Sequence, residues 1–211
     1  MAGSVSGIFA NGMDLNYAKK IYKRDNCRIC GNKDLLEILN FGSMAPANAF
    51  TEPNLPEEEK YPLAVYFCGN CKLLQLLHVV SPEILFKNYA YFTSASPPLA
   101  DHFEKLADFL VDRFSSSKDD LIVEIGGNDG ALLAKIKDRR KVLNIEPALT
   151  VAEISRSRGI ETITEFFNFG LAGKILNKYG PAKIVVANNV IAHIDDIVPV
   201  FRGIKKILAV D

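Results

Sequence analysis

The chain has 211 residues, 25 Lys plus Arg balanced by 25 Asp plus Glu, and 48% hydrophobic residues, the composition of a chain that folds around a core. Zero formal charge excludes long-range attraction to nucleic acid or to anionic membranes as a default. No apolar run reaches the ~20 residues of a membrane span, and the first 16 residues lack the basic and apolar blocks of a secretory signal. The expectation is a cytoplasmic protein with neither nucleic acid nor membrane as partner.

Residues 1–23 carry no clear pattern and are expected to form a poorly structured leader. Next come two knuckles, Cys27-Arg-Ile-Cys30 and Cys68-Gly-Asn-Cys71, which hold all four cysteines of the chain. Each CxxC turns both sulfurs toward one point, and four thiolates suit tetrahedral zinc with no position left open for chemistry. Gly31 and Gly69 are expected to ease the two turns. Disulfides are disfavoured without secretion, and neither pair opens a helix in the manner of a redox motif. The expectation is a structural Zn2+ site on Cys27, Cys30, Cys68 and Cys71, holding a domain over 24–80 that is too small to fold on a core alone.

Residues 81–118 read as a connecting segment and helix. A polar-aromatic stretch, Asn88 to Ser96, leads to Pro97, which opens a helix with Leu99, Phe103, Leu106, Leu110 and Phe114 at helical spacing. From 119 to 211 the pattern changes to strand–helix alternation. Strands are expected over 121–125, 142–145, 161–163 and 183–187, with helices over 131–139, from the second strand to near Gly159, over 171–179, and after Asp195 or Asp196. This predicts a parallel, right-handed α/β sheet.

Val123-Glu124-Ile125-Gly126-Gly127-Asn128-Asp129-Gly130 joins the first of these strands to its helix, and Glu146 follows about twenty residues on. A glycine turn at a helix N-terminus brings backbone N–H groups to a ligand, and an acid at the end of the second strand accepts from ribose hydroxyls. The dinucleotide fingerprint GxGxxG fails at Asn128. The run fits better the ExGxGxG-like turn that binds S-adenosylmethionine, with Asn128 in place of the middle glycine.

With CRICGN, CGNC, LLQLLHVVSPEILFKNYAYFTSAS, VEIGGNDG, NIEPA and VANNVIAHIDD in this order, the chain resembles the S-adenosylmethionine-dependent C-methyltransferases of deoxysugar biosynthesis, which methylate nucleotide-linked keto-sugars. The resemblance implies an α/β protein in which a small zinc-binding N-terminal domain precedes a Rossmann-like methyltransferase domain, here truncated. It implies that Gly126, Asn128, Gly130, Glu146, Asn188 and Asn189 hold the cofactor, and that Tyr89 and Tyr91 line the sugar pocket. The family's Tyr-His-Glu-His catalytic cluster has no counterpart here. His193 is left as a substitute base, His78 and His102 are read as structural, and a chain carrying the missing C-terminal half is an expected partner. The fourth strand would then have an unpaired edge. The rival readings are a non-catalytic zinc-ribbon binding module, which would need a basic face, and an NAD-dependent sugar-modifying enzyme, which Asn128 disfavours.

Overall fold

The computed structural model describes residues 20–48, 58–87, 89 and 91–209. The expected leader lies outside this range up to residue 19, but its last residues form β1 (Ile21–Lys23), which pairs antiparallel with β5 (His78–Val80). Three residues are too short for a strand period to show in the sequence; Ile21 and Tyr22 are held by their partners Val80 and Val79.

Between β1 and β5, the strands β2 (Leu35–Met44), β3 (Tyr61–Cys68) and β4 (Leu74–Leu76) form an antiparallel sheet in the order β2-β3-β4. Its buried core is small: Ala64, Tyr66 and Leu77, with Leu35 packed against them. Leu36, Leu39, Phe41 and Leu74 stay exposed.

Helices α1 (Pro82–Phe86) and α2 (Pro97–Phe114) follow, with a 3-10 turn at Thr93–Ala95 between them. The apolar stripe of α2 is no connector. Phe103, Ala107 and Val111 are buried against Ile122, Leu132, Leu133, Ile136, Ile160 and Ile184, so α2 covers one face of the α/β sheet.

The second sheet contains β6 (Leu121–Ile125), β7 (Lys141–Ile145), β8 (Thr162–Ile163) and β9 (Ala182–Val186), all parallel, in the order β8-β7-β6-β9. Helices α3 (Leu149–Ser157), α4 (Phe169–Tyr179) and α5 (Ile197–Ile207) complete it. Side chains alternate along β6: Ile122 joins the α2 face, while Val123 and Ile125 meet Leu171, Ile175, Val200 and Ile207 of α4 and α5 on the other. The result is three layers, α/β/α. Asn168 and Asp196 cap α4 and α5 by accepting from Leu171 N and Val198 N.

One expectation changes here. The predicted helix over 131–139 is a string of turns with a 3-10 segment at Leu133–Lys135. Leu133 and Ile136 are both fully buried, and a three-residue repeat lines up exactly such an i, i+3 pair. The outer edge of β9, the end strand of the sheet, is bridged at its first residue alone among the described residues: Leu208 forms a parallel bridge to Ala182, and Ala209 N donates to Ala182 O at 2.8 Å. Among the described residues, no helix is long and apolar enough to cross a membrane.

Candidate functional site

The four cysteine sulfurs lie within 4.8 Å of one another. Two pairs are closer, Cys27–Cys71 at 3.5 Å and Cys30–Cys68 at 3.6 Å. A tetrahedron of Zn–S bonds of ~2.3 Å puts its sulfurs ~3.8 Å apart, so the donor set fits zinc in both identity and spacing. The knuckles share one geometry: Gly31 N donates to Cys27 O at 2.9 Å and Lys72 N to Cys68 O at 3.0 Å. The residue after each second cysteine, Gly31 or Lys72, is left-handed. The left-handed turn residue of the second knuckle is therefore Lys72, not Gly69; Gly69 instead donates to Asp34 O at 3.0 Å and has the Asp34 carboxylate where a Cβ would stand.

A cavity of about 1130 Å³ opens at the carboxyl ends of β6, β7 and β9. In the strand order, β7 lies to one side of β6 and β9 to the other, the topological switch where open α/β sheets take ligands. Gly126, Gly127, Asn128, Glu146, Asn188 and Asn189 line it from the sheet side, and Tyr89, Tyr91 and His193 face them. Of the residues expected to hold the cofactor, Gly130 alone does not line the cavity; it is buried with Ser155 and Ile160 where a Cβ would point. The turn also lacks the regular helix expected behind it, so its N–H groups act without a helix dipole.

The Glu146 carboxylate is fixed from two sides: Oε2 accepts from Asn128 N and Oε1 from Ala148 N, both at 2.9 Å. Burial pushes its pKa up and these two bonds pull it back down. Each oxygen keeps a lone pair for a ligand hydroxyl.

Sequence reasoning missed Glu124. It is 3% exposed on β6, it borders the cavity, and its Oε2 has no hydrogen-bond partner. Oε1 accepts from Asn188 Nδ2 at 3.3 Å, which gives Asn188 a role at the strand end. Burial raises the Glu124 pKa to about 7, opposed by the Asn188 bond and reinforced by the nearby Glu146 and Asp129. The signal in the sequence was a carboxylate inside an otherwise aliphatic strand. Gly127 lies over this group: a Cβ there would meet Asn144 Oδ1 and Glu124 Oε2, so any larger residue would have to displace one of these side chains.

Across the cavity runs a row of rings. Tyr91 and Tyr89 have centroids 6.2 Å apart, Tyr89 and Phe86 6.0 Å, and Phe86 and His193 6.0 Å. Asn48 Nδ2 donates to Tyr89 Oη at 3.1 Å. His102 borders the cavity as well, which the reading of it as structural did not anticipate, whereas His78 lies in the zinc-binding unit near the Tyr66 ring.

Residues 27–86 match a family described as a zinc binding domain. The chain is 35% identical over 190 residues to C-methyltransferase NovU of Streptomyces niveus, a match covering 89% of this chain and 45% of the relative. Among solved structures, it overlaps a protein of Methanococcus maripaludis assigned as an S-adenosyl-L-methionine-dependent methyltransferase, with TM-score 0.41 and 17% identity over 52% of each chain. It also overlaps the plantazolicin methyltransferase BpumL, with TM-score 0.40 and 11% identity over 51% of this chain and 41% of that one. Both overlaps are partial. By sequence the chain is thus similar to C-methyltransferase NovU, with a zinc-binding segment over residues 27–86, and it spans about half the length of the curated relative it matches.

Proposed function

We propose that this chain binds S-adenosylmethionine over the glycine turn and takes part in C-methylation of a nucleotide-linked keto-deoxysugar in the cytoplasm, where free thiols persist to hold zinc. The reading rests on one shared cavity in which Gly126, Asn128 and Glu146 face Tyr89, Tyr91 and His193. When bound, the cofactor supplies a methyl group made electrophilic by its sulfonium. The chain's own residues do the holding. Glu146, pinned by two backbone N–H groups, takes the ribose hydroxyls. Glu124 offers its unpartnered Oε2 to the ammonium of the methionine portion, with Asn188 fixing the other oxygen.

C-methylation beside a ketone breaks a C–H bond and forms a C–C bond, so a base takes the proton and a donor holds the enolate oxygen. The row from Tyr91 to His193 forms the substrate wall, and His193 is the candidate on it for moving that proton. The chain spans 45% of the relative it matches, and the reading is tested on binding rather than on turnover.

Calorimetric titration of S-adenosylhomocysteine into the zinc-loaded protein is expected to show saturable binding. Glu146→Ala should weaken it about 10- to 100-fold, the worth of charge-assisted hydrogen bonds lost from a buried site. A folded, zinc-loaded sample that takes up no S-adenosylhomocysteine overturns the reading.

A further inference from the structure

Asn128 does not use its side chain as a substitute for glycine at a ligand. Its backbone is left-handed, φ +52°, a conformation that asparagine tolerates better than most residues. Its side chain turns to the segment carrying the tyrosines: Oδ1 accepts from Thr93 N and Nδ2 donates to Tyr91 O, both at 3.0 Å. Its neighbour does the same. Asp129, 0% exposed, accepts at Oδ2 from Ser94 N at 3.1 Å and from Ser94 Oγ at 2.5 Å. Arg158 closes the group, donating to Ser94 Oγ and to Asp129 O, each at 2.9 Å. Meanwhile Asn128 N donates to Glu146 and Asn128 O accepts from Asn144 Nδ2 at 3.0 Å. One residue therefore touches the acid of the proposed cofactor site with its backbone and the aromatic segment with its side chain. A glycine could adopt the same backbone but could make neither side-chain bond.

We propose that Asn128 and Asp129 are positioning residues that clamp segment 91–94 to the glycine turn, so that ligand contact at Glu146 and the placement of Tyr91 and Tyr89 are coupled. The clamp is defined without any ligand; only the coupling rests on the cofactor reading above. It also explains why the glycine pattern is broken at this position: the side chain is needed on the segment rather than on the cofactor.

Hydrogen exchange on the zinc-loaded chain tests both parts. The Thr93 and Ser94 amides donate to buried side chains and should be protected. In Asn128→Gly, exchange of a peptide spanning 91–96 should accelerate about tenfold, the worth of roughly one or two hydrogen bonds, while β6 and β7 keep their protection. Asn128→Asp retains an acceptor for Thr93 N and loses the donor to Tyr91 O, and should fall between. Ser94→Ala, which loosens the clamp from its exposed side without touching the turn, should accelerate the same peptide. Saturating S-adenosylhomocysteine should slow exchange of the segment in the unaltered chain and have less effect in Asn128→Gly. Unchanged exchange of 91–96 in Asn128→Gly overturns the clamp. So does an equal loss of protection across β6 and β7, which would make Asn128 a general structural residue. If S-adenosylhomocysteine does not bind the unaltered chain, the cofactor reading and the coupling fall together, while the ligand-free comparison still decides the clamp.

Discussion

Glu124 stands in a strand whose other residues, Leu121, Ile122, Val123 and Ile125, are aliphatic and buried. A carboxylate so placed with one oxygen unpartnered costs stability unless it is protonated or meets a donor. Its ordinary value of 4.5 is raised to about 7 by burial first, with Glu146 and Asp129 adding to the effect. Between those two pH values the folded chain holds a proton that the unfolded chain has released, so folding stability falls as pH rises through the window. The total is on the order of 3 kcal/mol. Glu124→Gln carries no titrating proton, so its stability curve should be flatter from pH 5 to 7 and lie above that of the unaltered chain by pH 8. Urea unfolding at pH 5, 6, 7 and 8 measures this, and parallel curves would refute it. S-adenosylhomocysteine should reverse the ranking, because an ammonium favours the ionised carboxylate that only Glu124 can supply.

At the scale of elements, the zinc-binding unit has little besides its metal to hold it. Among the described residues, its apolar core cluster of Ala64, Tyr66 and Leu77 is too small to offset the ordering of strands β2 to β4, whereas four thiolates on zinc contribute on the order of 10 kcal/mol. Chelation, or Cys68→Ser, should abolish exchange protection across β2 and β3 and leave the β6–β7 core protected. If both strands remain protected after measured zinc loss, the metal is dispensable to the fold. The zinc unit was legible in the sequence because CxxC spacing is local: four residues write each knuckle. The α/β alternation was legible for a similar reason, since each strand is a short aliphatic run. The segment over 131–139 was misread because Leu133 and Ile136 suit a helix and a 3-10 turn equally, and only the sheet beneath decides between them. Residues 91–94 meet Asn128 and Asp129 across some 35 positions of sequence, and the sequence signal there, an asparagine in place of a glycine, gave no hint of its partner. The role of α2 as a layer of the sheet was hidden in the same way: its stripe shows that it packs, not on what.

Across the whole molecule, the zinc-binding unit and the α/β unit meet where the cavity wall is built. Asp195 lies two residues beyond His193 and ahead of α5, and accepts from Arg24 Nη1 at 2.8 Å and from Tyr22 Oη, both of which stand on or beside β1. Arg28, next to Cys27, donates to Ile194 O at 3.3 Å. Through these bonds the metal-held unit fixes the loop that carries His193 opposite the tyrosines. The Arg24–Asp195 pair is about four-fifths shielded on both side chains, so removing one partner leaves the other charge poorly solvated, a loss of about 2 kcal/mol for a pair at this depth. Asp195→Ala should therefore uncouple the two units. Scanning calorimetry of the zinc-loaded chain should show one transition before the change and two after it, the lower one sensitive to chelator. Asp195→Asn keeps an acceptor for Tyr22 Oη and should shift the transition less. A single unmoved transition in Asp195→Ala would mean that the Arg28 bond and apolar contacts carry the interface. The metal-held unit would then still fix the cavity wall, through Arg28 rather than through Asp195. If the two transitions separate, chelation should weaken S-adenosylhomocysteine binding, because the loop bearing His193 loses its anchor while Glu146 and the glycine turn remain folded.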